Sequence, residues 1–141
     1  MSQALAVGLT IFGGVCVFVM GQIITKFFLE PLYEQRKMFG EISDGVLYYA
    51  QYFCNPGQDD IGGNRTKASD AVRKLSAGLL AKSNAVPFYR IFAFFKIIPS
   101  SKDVNEVAKN LMFLSNSFFN GDGIRNDGAA QKVKQLLKLS V

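Results

Sequence analysis

The sequence predicts an all-α protein, with a single amino-terminal transmembrane helix followed by a small cytoplasmic helical bundle of about four to five helices. Three observations support this fold class: an uncharged apolar run near the amino terminus, helical spacing of apolar residues beyond it, and the absence of sustained strand alternation. The predicted division places a transmembrane anchor at 1–30, with its span at about 4–24, and a helical bundle domain at 31–141.

The apolar run LAVGLTIFGGVCVFVMGQII, Leu5 to Ile24, contains no charged residue. Counted from Ala4 it has about 21 residues, close to the roughly 20 that a helix needs to cross a hydrocarbon layer of about 30 Å. An export signal would place basic residues ahead of a shorter run and small residues at a cleavage site. A buried helix of a soluble core would carry a polar stripe, and this run has only the isolated polar residues Thr10 and Gln22. We therefore interpret the run as a membrane span.

The basic residues that flank the span predict its orientation. Lys26, Arg36 and Lys37 follow the run closely, and no basic side chain precedes it. Because basic residues near a span stay on the cytoplasmic side, we expect the amino terminus outside and the carboxyl-terminal domain in the cytoplasm. This topology favours a bacterial inner membrane or a comparable membrane with a reducing inner side, where membrane lipid is an expected partner.

Small residues on the span suggest a contact with a second helix. Gly14 and Gly21 are seven residues apart and share one helix face, with Gly13 beside them. Small residues let helix backbones approach closely in lipid, so we interpret this face as a packing seam for another membrane protein or for self-association through the span. The alternative is that glycine is simply frequent in transmembrane helices.

Beyond the span, apolar residues recur at spacings of three, four and seven, which is typical of bundle helices. Pro31 should kink or break the first of them because it lacks an amide hydrogen. Further helices are predicted at about 66–83, after a capping-box start at Ser100, and after a turn-rich connection at Asn120–Gly128. The seam of the first bundle helix consists of Leu32, Phe39, Ile42, Val46, Tyr49 and Phe53.

The segment Pro87–Ile98 is aromatic or aliphatic on nearly every side. With about 12 residues it is too short to cross a bilayer. One interpretation is a membrane-surface segment whose cations reach toward lipid phosphates. The other, which the pattern favours, is a central bundle helix that is covered on all sides. The residues expected to contact the membrane in the first case are Phe88, Arg90, Phe94, Phe95 and Lys96.

The composition excludes several classes of chemistry. The chain has no histidine, the commonest metal ligand and general base near neutral pH. Cys16 and Cys54 form no CxxC pair, and Asp59 and Asp60 are interpreted as solvated loop acids since their spacing does not fit a calcium loop. The net charge of +5 is scattered along the chain, which argues against specific nucleic-acid binding. We expect no cofactor, no metal, no small-molecule substrate and no catalytic residue.

These observations predict a non-catalytic, single-pass, membrane-anchored helical protein that acts through protein–protein contacts as an accessory subunit or scaffold of a membrane complex. The alternative is an oligomerising membrane-acting effector, such as a toxin or defence protein, that perturbs the bilayer. In that case the span and Pro87–Ile98 would act on lipid together.

Overall fold

The computed structural model describes residues 3–57 and 61–137, and the regular secondary structure of these residues is all helical, with no strand. A π-helical turn at Thr25–Leu29 joins the first two helices, and a short 3₁₀ turn at Ile61–Gly63 precedes the fourth. The α-helices are α1 Gln3–Ile24, α2 Glu30–Tyr48, α3 Ala50–Cys54, α4 Asn64–Ala85, α5 Tyr89–Phe94, α6 Ser101–Asn116 and α7 Gly123–Leu136.

The helix α1 projects away from the rest of the fold, and every one of its residues is exposed. Within the described residues, one continuous helix, Gln3–Tyr48, is long and apolar enough to cross a membrane by its length and composition. None of its most apolar stretch is covered by other parts of the chain. The alternative of a helix buried in the chain's own core is therefore wrong.

The helix continues through Pro31 without the break that was one of the two expected outcomes. Pro31 is the second residue of α2, and it has no amide hydrogen to donate to a carbonyl of the preceding turn. Directly before it the helix widens into the π turn, and the amide of Glu30 donates to the carbonyl of Thr25, five residues back. A wider turn accommodates the altered hydrogen-bond ladder, so α1 continues into α2 without interruption.

The core lies between α2, α4, α6 and α7, with α4 packed against both α2 and α6 and with α7 on α6. The apolar stripes predicted from the sequence face this core, although Leu32 and Tyr49 at the ends of the α2 seam are only half-buried. Burial of these stripes is the main drive for the fold, at roughly 25 cal/mol per Å² of apolar surface. The best-buried apolar side chains are Ile42, Val46, Phe53, Val72, Leu79, Val107, Leu111, Leu114, Phe118 and Val133.

The predicted start of α6 is confirmed. Ser100 is the N-cap, its hydroxyl oxygen accepts from the Asp103 amide at 3.1 Å, and the Asp103 carboxylate accepts from the Ser100 amide at 3.2 Å. This reciprocal pair satisfies amides that the first turn of a helix leaves without partners.

Two helix boundaries differ from the sequence prediction. The helix α2 ends at Tyr48, and a short α3 carries Phe53 into the core. The helix α7 begins at Gly123, inside the stretch interpreted as a turn-rich connection. It starts there because the Asp122 carboxylate accepts from the Ile124 amide at 3.0 Å, while buried Asn126 donates to the Phe53 carbonyl at 2.7 Å.

A buried arginine ties together the end of the bundle that is far from α1. Arg65 is only 4% exposed, and its Nη1 donates to the carbonyls of Tyr52, at 3.0 Å, and Phe118, at 2.6 Å. A third bond reaches the Asn55 carbonyl at 3.2 Å. These carbonyls lie at or just beyond helix carboxyl ends, where intrahelical partners are lacking and a cation is favourable. Arg65 therefore joins α3, α4 and the end of α6.

Candidate functional site

The α5 segment, residues 87–98, is the most exposed apolar part of the bundle. The side chain of Phe94 is 81% exposed, and those of Phe88 and Phe95 are 65% and 66% exposed. The helix α5 itself contributes no buried residue. The interpretation of this segment as a central bundle helix is therefore wrong. Its sequence is apolar on all sides, so the pattern could not show which sides the fold covers.

The ends of the α5 segment are anchored in the fold. Val86, just before it, and Ile98, its last residue, are both 4% exposed. Between them the backbone enters the left-handed region at two residues with side chains, Phe88 with φ 52° and Lys96 with φ 56°. Such conformations cost about 1–2 kcal/mol for a residue with a Cβ. They persist when surrounding structure enforces them, and here they bracket α5 and set its direction.

The α5 segment lies against the point where α1 becomes α2. The ring of Phe88 stacks on that of Phe28 in the π turn, with centroids 6.0 Å apart and planes 4° from parallel. The guanidinium of Arg36 donates to the Ile97 carbonyl at 3.3 Å. Two contacts, one at each end of α5, thus place the segment beside the junction of α1 and α2.

A buried polar network fixes the inner side of α5. The amide nitrogen of Gln35 donates to the Ser83 hydroxyl at 3.0 Å and to the Tyr89 hydroxyl at 3.1 Å. The Tyr89 hydroxyl in turn donates to the Pro99 carbonyl at 2.8 Å. Burial raises the pKa of the Tyr89 phenol, so that it remains a neutral donor near pH 7. The first residue of α5 is thereby held to α2 and α4.

An ion pair on the same end of the bundle links α2 to α4. The Lys82 ammonium donates to the Glu34 carboxylate at 2.6 Å, and both side chains are partly exposed. The hydrogen bond from Lys82 and its charge lower the pKa of Glu34. The same hydrogen bond raises the pKa of Lys82. Because Glu34 is paired with Lys82, its carboxylate does not offset the other cations at this end of the bundle, and the surrounding surface keeps an excess of positive charge.

A shallow cavity of about 440 Å³ opens between α2 and the end of the α5 segment. Its walls are mainly apolar, with Phe39, Ile98 and Leu137 among them, and Arg36 and Lys96 are the two cations that line it. Both cations are exposed, so the cleft adds positive charge beside the apolar surface of the α5 segment.

The predicted packing seam on α1 is open in the structure. A Cβ built on Gly13, Gly14 or Gly21 would meet no atom within 4 Å. The seam therefore makes no contact within this chain. Its pairing with another helix remains a prediction.

The aromatic cluster at the end of α2 is mostly structural. Tyr52 and Phe53 both pack on Phe118, with ring centroids 6.1 Å apart in each case. Tyr48 differs, because it is 70% exposed and contacts Tyr49 edge to face. Tyr48 is therefore the ring of this cluster that the core does not cover.

Cys54 behaves as a small apolar side chain. It is half-buried beside the core, and burial raises the pKa of its thiol, which disfavours the reactive thiolate. No group of three or more histidine, cysteine or acidic side chains gathers in the part of the chain that the structure describes. Asp59 and Asp60 lie outside that part.

Sequence reasoning named the exposed residues of the α5 segment but missed those that hold it in place. The position of Phe28 could have been noticed in the sequence, since it follows the apolar run closely and aromatic side chains are enriched where spans meet the membrane surface. Arg36 and Ile97 had none, because they are 61 residues apart in the sequence and only the fold brings them together.

Comparison of the chain with protein-family models, with curated proteins and with solved structures finds no significant match.

Proposed function

We propose that this chain is a non-catalytic, single-pass, membrane-anchored helical protein that acts through protein–protein contacts, as an accessory subunit or scaffold of a membrane complex. The observation that carries the proposal is the exposure of α1. A 22-residue apolar helix with no covered residue needs a hydrocarbon solvent. The absence of histidine from the sequence supports a role without catalysis.

The proposed topology places the amino terminus outside and the bundle in the cytoplasm of a bacterial or comparable membrane. Lys26, Arg36 and Lys37 support this orientation. It is tested by labelling intact cells with a membrane-impermeant thiol reagent, after both native cysteines are changed to alanine. A cysteine introduced at Gln3 should be labelled, and one introduced at Ile124 should not be. The reverse pattern would contradict the orientation.

The contact proposal concerns the face of α1 that carries Gly14 and Gly21, which lie about 20° apart around the helix. Gly8 lies about 120° away from Gly14 and is equally unobstructed, since no atom stands within 4 Å of a Cβ at either position. A photo-reactive residue at position 14 should form cross-links in native membranes, whereas the same residue at position 8 should form few. The product mass then distinguishes a second copy of the chain from another membrane protein.

Substitution provides the matched test. Gly14→Leu should weaken the association about tenfold or more, because it removes the close approach of the two backbones, and Gly8→Leu should leave it unchanged. Equal cross-linking at the two positions, or equal effects of the two substitutions, would contradict a glycine seam.

The exposed α5 segment favours a second candidate function, that of an oligomerising effector that perturbs the bilayer. Phe94 and Phe95 would then disturb lipid packing while α1 associates with other copies. The discriminating measurement is dye release from liposomes. Leakage that requires residues 4–24 and the two phenylalanines would support the effector, and intact liposomes at high occupancy would support the scaffold.

A further inference from the structure

We infer that the α5 segment is a second membrane contact, which lies in the headgroup layer of an anionic leaflet and holds the bundle against the bilayer in one orientation. This inference rests on the proposed span. It goes further, because a single span alone would leave the bundle free to tilt and rotate together with the span in the bilayer. The partner surface is lipid, recognised by exposed aromatic rings and by cations placed among them.

The depth of the segment follows from its contact with the anchor. Phe28 is four residues beyond Ile24, or about 6 Å further along the helix axis. The headgroup layer on each side of the hydrocarbon is about 5–8 Å thick. Phe28 therefore lies within that layer when the span ends at Ile24. Because Phe88 stacks on Phe28 with ring centroids 6.0 Å apart, the start of the α5 segment lies within 6.0 Å of that depth.

The exposed side chains of the segment have the chemistry of an interface. Phe94 and Phe95 contact each other edge to face and are otherwise largely uncovered. Ile91 and Ile97 extend this apolar surface, at 53% and 44% exposure. Aromatic and aliphatic side chains of this kind are favoured at the headgroup and acyl boundary, where their apolar area leaves water.

The cations of this region match an anionic surface. Arg90 and Lys96 lie in the segment. Lys26 lies in the adjoining π turn and Arg36 on α2. All four side chains are exposed. Glu30 is exposed there too, whereas Glu34 is paired with Lys82. Each basic residue near an anionic leaflet contributes to attraction, and the remaining excess is positive.

Lipid is preferred over a second copy or another protein because the apolar surface continues into the span. The Phe28–Phe88 stack joins the exposed rings of α5 to the membrane end of α1, so a bilayer that surrounds α1 already reaches the segment. Another protein would have to displace the lipid around the membrane end of α1 before it could cover the exposed rings of α5.

The test measures depth in the full chain, reconstituted in nanodiscs with and without anionic lipid. Cys16 and Cys54 are changed to alanine, and an environment-sensitive fluorophore is attached to Phe94→Cys. Ile124→Cys is the matched control, since Ile124 is 85% exposed and lies at the far end, where α7 begins beside Cys54. Val17→Cys, whose native side chain is 73% exposed on α1, reports the span itself.

We expect nitroxide placed on lipid headgroups to quench the label at position 94 at least threefold more than the label at position 124. Nitroxide placed deep in the acyl chains should quench position 17 most strongly. Removing anionic lipid, or introducing Arg90→Gln with Lys96→Gln, should reduce quenching at position 94. The control Arg125→Gln, beside Ile124, should not.

Each other result has a distinct meaning. Weak quenching at position 94 with strong quenching at position 17 overturns the second contact and leaves the span intact. No lipid quenching at position 17 overturns the proposed span, and the second contact with it. A label at position 94 that is shielded from both lipid nitroxide and aqueous quencher is covered by protein, and this result also overturns the inference.

Discussion

The ring of Phe88 lies parallel to the ring of Phe28, 6.0 Å away, although the two residues belong to segments of different character. Phe28 is in the π turn that follows α1, and Phe88 precedes α5 in a left-handed backbone conformation. Stacked aromatic pairs contribute about 0.5–1.5 kcal/mol beyond their buried area. This contact fixes the position of the α5 segment relative to the end of α1.

The strained backbone at Lys96 predicts an unusual stabilising substitution. Lys96→Gly should raise the free energy of unfolding of the bundle by up to about 1 kcal/mol, because glycine adopts φ 56° without a Cβ penalty. The measurement is urea unfolding of the full chain in mild detergent, followed by circular dichroism. Lys109→Gly, inside α6, is the matched control and should destabilise by about 1 kcal/mol. A loss of stability in both variants would mean that the left-handed conformation is absent.

Two glycines on α2 should respond in opposite directions to the same substitution. A Cβ on Gly40 would meet no atom within 4 Å, so Gly40→Ala should stabilise by about 0.5–1 kcal/mol through its helix propensity. A Cβ on Gly45 would lie 2.5 Å from Cδ1 of Leu75 on α4. Gly45→Ala therefore forces Leu75 to move and should cost about 1–2 kcal/mol. Equal gains in the same unfolding experiment would show that α2 and α4 are further apart than the structure has them.

The buried guanidinium of Arg65 predicts a large loss of stability when it is removed. Arg65→Leu should destabilise the bundle by about 3 kcal/mol or more, since it leaves three buried or part-buried carbonyls without their donor. Arg65→Lys should have an intermediate effect because an ammonium lacks the planar fork. Arg73→Leu is the control, for Arg73 is half-exposed and its pair with Asp70 is worth less than about 1 kcal/mol. An Arg65→Leu variant as stable as Arg73→Leu would contradict the three-carbonyl contact.

The ion pair between Glu34 and Lys82 predicts a dependence of stability on pH. The folded pKa of Glu34 is lowered by Lys82, so its contribution is present above the ordinary carboxyl pKa and disappears as pH falls through the folded value. The raised pKa of Lys82 makes its contribution disappear only as pH rises through the folded value. The difference in unfolding free energy between wild type and Glu34→Gln should therefore shrink between pH 7 and pH 3. A difference that stays constant between pH 7 and pH 3 would contradict the ion pair.

The local sequence pattern determined several of the helices of this protein. The uncharged run of α1, the spacing of Ala68, Val72 and Leu79 on α4, and the capping box at Ser100 are each contained within a few turns of chain. Helix formation and capping depend on neighbours three or four residues away, so these features are readable from the sequence. The start of α7 shows the limit of such local patterns, since the sequence placed it too late. The glycines near Asp122 indicated a turn, whereas Asp122 is the N-cap of α7 and buried Asn126 holds the first turn to the Phe53 carbonyl.

Only the tertiary structure decided where the α5 segment lies. A stretch that is apolar on all sides has no periodic phase that marks one face as buried. Its sequence favoured a covered central helix, and the structure exposes it instead. The outcome depends on the Phe28–Phe88 stack, the Arg36–Ile97 hydrogen bond and the network around Tyr89. The first two of these contacts join residues about sixty positions apart. Such pairs meet only after the helices have packed, since nothing in the local chain specifies their distance.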